Sequence, residues 1–221
     1  MPAMVGPSAK DPEVPFDVER LVFFSDAVIA IAITLLVIQL TVPGTLATDA
    51  DLRDALAGLM PSFFSFGLSF AVIGVWWASH YRLMRVLVHA SGLIVFLNFV
   101  LLGAIVFLPF ASGVLGHHGE LPTAIMLYAL TNLVAASTIV AMRIAASRLH
   151  LLREGAEDAA FRRRTAFTVG TAAVFGLSIL IAPASPQLAT YTWDLILVLI
   201  LVRTWDERRR AAREAGRSPA G

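Results

Sequence analysis

The sequence contains no cysteine, which excludes a disulfide framework, a thiol nucleophile and a cysteine-ligated metal site. Charge is also scarce, since Asp, Glu, Lys and Arg make up only 15% of the 221 residues, whereas a soluble domain carries about 25%. By contrast, 57% of the residues are hydrophobic and the mean hydropathy is +0.76. This composition favours a membrane protein with several spans over a soluble protein with a large core.

The apolar residues are grouped into six segments, each close to the ~20 residues that a helix needs to cross a bilayer. The segments are 20–41, 56–79, 91–115, 121–144, 165–182 and 187–204. Spanning β-strands would be shorter and would alternate, so the predicted fold is an all-α membrane protein with six transmembrane helices. We expect a flexible N-terminal tail at 1–19, a six-helix domain at 20–205 and a basic C-terminal tail at 206–221.

Arginine is concentrated on one side of these predicted spans. The connections after the first, third and fifth segments hold only Arg53, whereas those after the second and fourth segments and the C-terminal tail are rich in arginine. Basic loops stay in the cytoplasm, so both termini are predicted to be cytoplasmic. We interpret the basic face as a surface for anionic lipid, and we expect no nucleic-acid partner because no aromatic side chains accompany the arginines.

The opposite side of the predicted bundle carries carboxylates. Asp49, Asp51 and Asp54 lie in the connection after the first segment, where they would concentrate cations at the outer surface. Asp194 lies about two turns inside the last segment, and it is interpreted either as an interfacial acid or as a cavity residue.

Polar side chains interrupt the first apolar segment at Phe24-Ser25-Asp26. A carboxylate at this depth is costly unless it has a partner or water. Partners are available at the cytoplasmic ends of the first and second segments and inside the third. The predicted polar network, which would fasten three helices together, consists of Arg20, Ser25, Asp26, His80 and Asn98.

The same segment also has an apolar stripe. Steps of three and four residues place six side chains on one helical face, namely Phe24, Ala27, Ile31, Thr34, Leu35 and Ile38. Ser25 and Asp26 point away from this face, toward neighbouring helices of the same subunit. Periodicity alone does not distinguish a pore lining from an ordinary lipid-facing or core surface.

The pattern Arg-x-x-x-Phe-Ser-Asp at 20–26 resembles the signature of the transmembrane protein 175 potassium-channel family. Trp-x-x-His at 77–80 is similar to the same family, as are Leu-Asn at 97–98 and Leu-Pro-Phe at 108–110. The resemblance covers all the apolar segments, and therefore nearly the whole chain apart from the tails. The Thr-Val-Gly-Tyr-Gly filter of other potassium channels is absent from the sequence.

The resemblance implies a potassium-favouring cation channel in a prokaryotic plasma membrane. Such a channel is a homotetramer in which the first helix of each subunit lines a central pore. The resemblance assigns a hydrophobic gate to Ile31, Leu35 and Ile38, and it assigns the selectivity position to Thr34. It further implies K⁺ as the permeant ion, with no cofactor, no fixed metal and no enzymatic activity.

The sequence also raises two functions other than a potassium channel: a proton pathway and an intramembrane enzyme. Asp26 and His80 could relay protons in a proton channel or a proton-coupled transporter. An intramembrane enzyme is disfavoured, because His-His-Gly-Glu at 117–120 lacks the His-Glu-x-x-His spacing of a metal site. A catalytic dyad of Asp26 and Asp194 is also disfavoured, because the two residues are predicted to lie toward opposite faces of the membrane.

Overall fold

The structure is a computed structural model that describes residues 17–42, 44–193 and 195. The helices are α1 (Val18–Leu35), α2 (Asp49–Gly58), α3 (Met60–Met84), α4 (Gly92–His118), α5 (Pro122–Arg148), α6 (Ala159–Ile181) and α7 (Pro186–Tyr191). A 3₁₀ turn at Leu36–Gln39 continues α1. In the described ranges, five helices are long and apolar enough to cross a membrane, namely α1 with its 3₁₀ turn, α3, α4, α5 and α6.

These five helices confirm the first five predicted segments and revise their ends. The second segment was predicted at 56–79, but α3 runs from Met60 to Met84, because the residues before it belong to the separate helix α2. The predicted sixth segment at 187–204 and the C-terminal tail at 206–221 lie largely or wholly outside the described residues. The tail at 1–19 is described only from Asp17, whose side chain accepts the Glu19 N–H at 2.9 Å and caps α1.

The short helix α2 was not predicted, because it is too polar and too short to appear as an apolar segment. It begins with a capping box, in which the Asp51 N–H donates to the Thr48 hydroxyl at 3.1 Å and the Thr48 N–H donates to Asp51 at 2.9 Å. The Thr48 side-chain and backbone hydrogen bonds lower the pKa of Asp51.

Helix α4 is the centre of the bundle and packs against α1, α3 and α5, while α6 packs on the far side of α5. Small residues bring the start of α3 and the end of α4 close together. A Cβ added at Gly116 would lie only 2.9 Å from the Ser62 Cα, and the Ser65 hydroxyl donates to the Ser112 carbonyl at 2.7 Å. Such close approach is how membrane helices gain packing and hydrogen-bond energy without a hydrophobic driving force.

The connections on the arginine-rich side are tied together by backbone hydrogen bonds. Helix α5 ends in a Schellman motif, with His150 at φ 53° and its N–H donating to the Ser147 carbonyl. The next residues pair with the connection after α3, since the Val88 N–H donates to the Leu151 carbonyl at 2.9 Å. The two connections therefore form one ordered surface.

Candidate functional site

Helix α1 has one packed face and one exposed face. Its buried side chains, including the first residue of the 3₁₀ turn, are Leu21, Ser25, Ile29, Ala32 and Leu36. The predicted stripe lies on the opposite side, where the exposed fraction is 60% for Ile31, 37% for Leu35 and 62% for Ile38. A single subunit thus presents an aliphatic surface that the helices in the described part of the chain leave uncovered.

Thr34 is exposed on the same side as these aliphatic residues. Its hydroxyl donates to the Ile31 carbonyl at 2.8 Å, within α1. The hydroxyl proton is therefore directed along the helix, while the oxygen keeps lone pairs that can accept from water or coordinate a cation.

Three of the predicted network residues meet in a buried cluster between α1, α3 and α4. The Asn98 amide group donates to the Ser25 hydroxyl at 3.0 Å, and the Asn98 side-chain oxygen lies 2.8 Å from His80 Nε2. The Ser25 hydroxyl lies 2.7 Å from the Leu21 carbonyl. All three side chains are at most 1% exposed, so these hydrogen bonds form in a water-poor interior.

The hydrogen bonds of this cluster run in one direction. The amide oxygen of Asn98 can only accept, so His80 Nε2 carries the proton and donates. The Asn98 NH₂ group donates to the Ser25 hydroxyl, and that hydroxyl donates its own hydrogen bond to the Leu21 carbonyl. His80 Nδ1 is buried and has no hydrogen-bond partner among the described residues.

Asp26 joins the cluster through a residue that was not predicted as its partner. The Trp77 indole N–H donates to the Asp26 carboxylate at 2.8 Å, and the Trp77 ring stacks on Tyr81 with 5.6 Å between centroids. Asp26 is also close enough to His80 for an electrostatic interaction. The Trp-x-x-His pattern at 77–80 contained the signal, because it places an indole donor one helical turn before the histidine.

The structure does not bring Arg20 into this cluster, and the predicted membership of Arg20 is corrected here. Arg20 is exposed, and it forms no hydrogen bond or ion pair with Ser25, Asp26, His80 or Asn98. The reason is angular: five residues turn a helix through about 500°, so Arg20 and Ser25 point about 140° apart. The polar cluster, as we use the term below, consists of Ser25, Asp26, Trp77, His80 and Asn98.

The remaining candidate residues are not assembled into a catalytic site. His117 donates from Nδ1 to the Gly113 carbonyl at 2.7 Å, within α4. Over the part of the chain that the structure describes, no group of three or more His, Asp or Glu side chains could hold a metal ion. Asp194, the second acid of the hypothetical dyad, lies outside the described residues.

Two of the three carboxylates that were predicted for the outer side have local partners. Asp49 forms an ion pair with Arg53 at 3.0 Å, and Asp51 belongs to the capping box of α2. Asp54 is exposed on the same helix. The ion pair with Arg53 reduces the contribution of Asp49 to the negative field that these acids were predicted to provide for cations, whereas the capping bonds of Asp51 stabilise its negative charge.

Comparisons with known proteins converge on one family. Residues 20–109 match a sequence model described as the endosomal/lysosomal potassium channel TMEM175. A potassium channel from Chamaesiphon minutus is 36% identical over 100 residues, which cover 45% of this chain and 49% of that protein. One from Streptomyces collinus is 32% identical over 138 residues, covering 62% and 65% respectively. The chain thus spans about half to two thirds of the length of these curated relatives.

Solved structures extend the likeness over most of the chain. The crystal structure of a lysosomal potassium-selective channel TMEM175 homologue from Chamaesiphon minutus matches with a TM-score of 0.71 and 26% identity, covering 83% of this chain and 96% of that one. A variant of the potassium channel MtTMEM175, bound to a nanobody fusion protein, matches with a TM-score of 0.62 and 21% identity. The second match covers 91% of this chain and all of that chain, and it supports the fold alone.

Proposed function

Because this chain belongs to the TMEM175 potassium-channel family, we propose that it is a potassium-favouring cation channel that assembles as a homotetramer. Each subunit would contribute six transmembrane helices and line a central pore with α1. K⁺ would be the permeant ion, and conduction would need no cofactor. The similarity to bacterial channels supports a prokaryotic plasma membrane as the location.

The exposed stripe of α1 is the observation that carries this proposal. An apolar surface on the helix nearest the N-terminus faces away from the subunit's own core, with Ile31, Leu35 and Ile38 on it. Four copies around an axis would stack these side chains into aliphatic rings, which can close a pore by dewetting. Opening would require the four α1 helices to separate or rotate, so that an ion passes with part of its water.

Thr34 lies between these proposed rings and would supply the polar contact. Four hydroxyl oxygens at this level could replace some of the water that a cation loses in the constriction. Potassium gives up hydration more easily than sodium, so a narrow apolar passage with one oxygen ring would favour potassium modestly. We therefore assign the gate to the aliphatic residues and the selectivity to Thr34.

The polar cluster would keep the stripe turned toward the pore. Ser25 is bonded to Asn98 of α4, and Asp26 is bonded to Trp77 of α3. Rotation of α1 about its own axis would break both contacts. Loss of the Ser25–Asn98 bond would be the more costly, because both side chains are buried in a water-poor interior. The cluster would thus act as a brace for α1 rather than as an ion site.

The arginine distribution supports the proposed orientation. Both termini would be cytoplasmic, and the basic connections after α3 and α5 would lie at the inner leaflet. Arginines at this face would attract anionic lipid over a distance of about one Debye length.

Replacing Ile31 with Asn tests the gate. We expect Ile31→Asn to raise potassium efflux from proteoliposomes severalfold above the parent protein, because an amide wets the constriction. Val37→Asn is the matched control, since Val37 is also an exposed aliphatic residue of the first span (56%) but lies off the stripe. Equal efflux from the parent and Ile31→Asn, with both proteins folded, would refute the hydrophobic gate.

Flux measurements in the same proteoliposomes distinguish a channel from the proton-coupled alternative. A channel gives a potassium flux that rises linearly with the potassium gradient. In a channel, Asp26→Asn should change the size of this flux more than the preference for potassium over sodium. A transporter using Asp26 and His80 would instead saturate and would follow an imposed pH gradient. Loss of proton-driven flux in Asp26→Asn, with no potassium conductance in the parent protein, would favour the proton-coupled alternative.

A further inference from the structure

A cavity of about 610 Å³ opens on the arginine-rich side, between the start of α1 and the connections that follow α3 and α5. We call it the inner cavity, and its charged lining residues are Asp17, Glu19, Arg85, His89 and Arg153. Its volume falls in the range of about 300–1,000 Å³ that is usual for small-molecule sites. Because it lies at the ends of spanning helices, it is at the depth of lipid headgroups.

The charges of the inner cavity are separated by sign. The carboxylates of Asp17 and Glu19 belong to the start of α1, whereas Arg85 and Arg153 come from the connections after α3 and α5. Within the described residues, no ion pair links these two carboxylates to these two arginines across the space. The cavity therefore offers an acidic wall and a basic wall to a ligand placed between them.

Backbone hydrogen bonds hold the basic wall in shape. The Arg153 N–H donates to the Val86 carbonyl at 2.9 Å, beside the pairing of Leu87 with Leu152. Leu87, one of the two paired residues, is itself buried. Arg85 and Arg153 thus project from a fixed platform, and their side chains can be changed without loss of these backbone contacts.

We propose that the inner cavity binds the zwitterionic headgroup of a phosphatidylethanolamine lipid. The phosphate would contact Arg85 and Arg153, since guanidinium groups bind phosphate with paired, charge-assisted hydrogen bonds. The ammonium would face Asp17 and Glu19, because it brings three donors to groups that can only accept.

The balance of charge favours a zwitterion over a purely anionic ligand. The two arginines and the two carboxylates of the lining balance one another in charge, so a ligand that carried a phosphate and no ammonium would leave the acidic wall uncompensated. Val88 lies at the edge of the cavity and is 62% exposed. It provides an apolar surface for the glycerol and acyl region of a lipid, which free phosphoethanolamine lacks.

Thermal unfolding of the full-length protein in detergent tests this site. We expect phosphatidylethanolamine to raise the unfolding midpoint more than phosphatidylcholine or phosphatidylglycerol at equal concentration. Arg153→Gln should weaken the response to phosphatidylethanolamine about tenfold in concentration. Glu19→Gln should abolish the preference for phosphatidylethanolamine over phosphatidylcholine, whose quaternary ammonium cannot donate hydrogen bonds.

Arg163→Gln is the matched control, because Arg163 is an exposed arginine on the same face outside the cavity. An equal loss in Arg163→Gln and Arg153→Gln would overturn the site in favour of diffuse electrostatic attraction. If phosphatidylglycerol raised the unfolding midpoint more than phosphatidylethanolamine, the zwitterionic assignment would be overturned. If soluble phosphoethanolamine raised it equally, the assignment of the ligand as a lipid would be overturned. Binding is measured without ion flux, so none of these outcomes depends on channel activity.

Discussion

Truncation of Asn98 should be the most damaging single change in the polar cluster. Asn98 is fully buried and connects α3 to α1, through His80 Nε2 at 2.8 Å and the Ser25 hydroxyl at 3.0 Å. Asn98→Ala removes both hydrogen bonds at once and leaves the His80 N–H without its acceptor. Ser25 is less affected, since its hydroxyl keeps the Leu21 carbonyl at 2.7 Å.

The magnitude follows from these contacts. Hydrogen bonds between membrane helices contribute about 0.6 kcal/mol on average and up to ~1.7 kcal/mol, and an unsatisfied buried donor costs about 1–3 kcal/mol. We expect Asn98→Ala to lower the free energy of unfolding by about 2–3 kcal/mol. Ser25→Ala, which removes one link and leaves His80 paired with Asn98, should cost about 1 kcal/mol.

Reversible unfolding in mixed micelles with increasing dodecyl sulfate, followed by far-ultraviolet circular dichroism, measures these values. Thr34→Ala is the control on the same helix, because Thr34 is exposed and loses only its local bond to Ile31. A double-mutant cycle between Ser25→Ala and Asn98→Ala should give a coupling energy of about 0.5–1.5 kcal/mol. If Asn98→Ala costs no more than Thr34→Ala, the cluster does not brace α1.

Three further predictions concern the scaffold. Gly116→Ala should lower the free energy of unfolding by about 1–3 kcal/mol in the same micelle assay, because the added Cβ meets the backbone of α3. Gly103→Ala is the control and should be neutral or stabilising, since a Cβ at Gly103 has no described atom within 4 Å. His150→Gly should raise the free energy of unfolding by about 0.5–1 kcal/mol, since glycine adopts φ 53° without strain; a loss of stability would contradict the Schellman assignment. The lowered pKa of Asp51 means that its support of α2 is complete above the ordinary value of 3.8 and is lost as the pH falls below it. Hydrogen-exchange protection of α2 should therefore drop at low pH in the parent but not in Asp51→Ala.

The first five spans could be predicted from the sequence, because hydropathy is a property of each segment by itself. Helix α2 was missed for the same reason, since its stability depends on a capping box between Thr48 and Asp51 rather than on apolar length. The end of α3 at Met84, beyond the predicted residue 79, reflects polar and aromatic residues that a hydropathy limit excludes.

The polar cluster was predictable in part. Residues Ser25, Asn98 and His80 were expected to meet because each is a costly polar group in an apolar segment, and the structure joins them. Trp77 was missed as the partner of Asp26, since a tryptophan near a membrane surface needs no special explanation. Arg20 was predicted wrongly as a member, because closeness along the chain does not bring two side chains together when they point about 140° apart around α1.

The 3₁₀ turn that ends the first span changes how its outermost side chains line up. In an α-helix, a residue three positions on is rotated by about 300°, so Ile38 would be offset from Leu35 by about 60°. A 3₁₀ turn makes a full rotation every three residues and rises about 2.0 Å per residue, which brings Ile38 nearly into line above Leu35. The tighter winding at Leu36–Gln39 thus converts a staggered pair into an eclipsed one about 6 Å apart along the axis. Any rewinding of this turn to an α-helix would swing Ile38 sideways while Ile31 and Leu35 stayed in place.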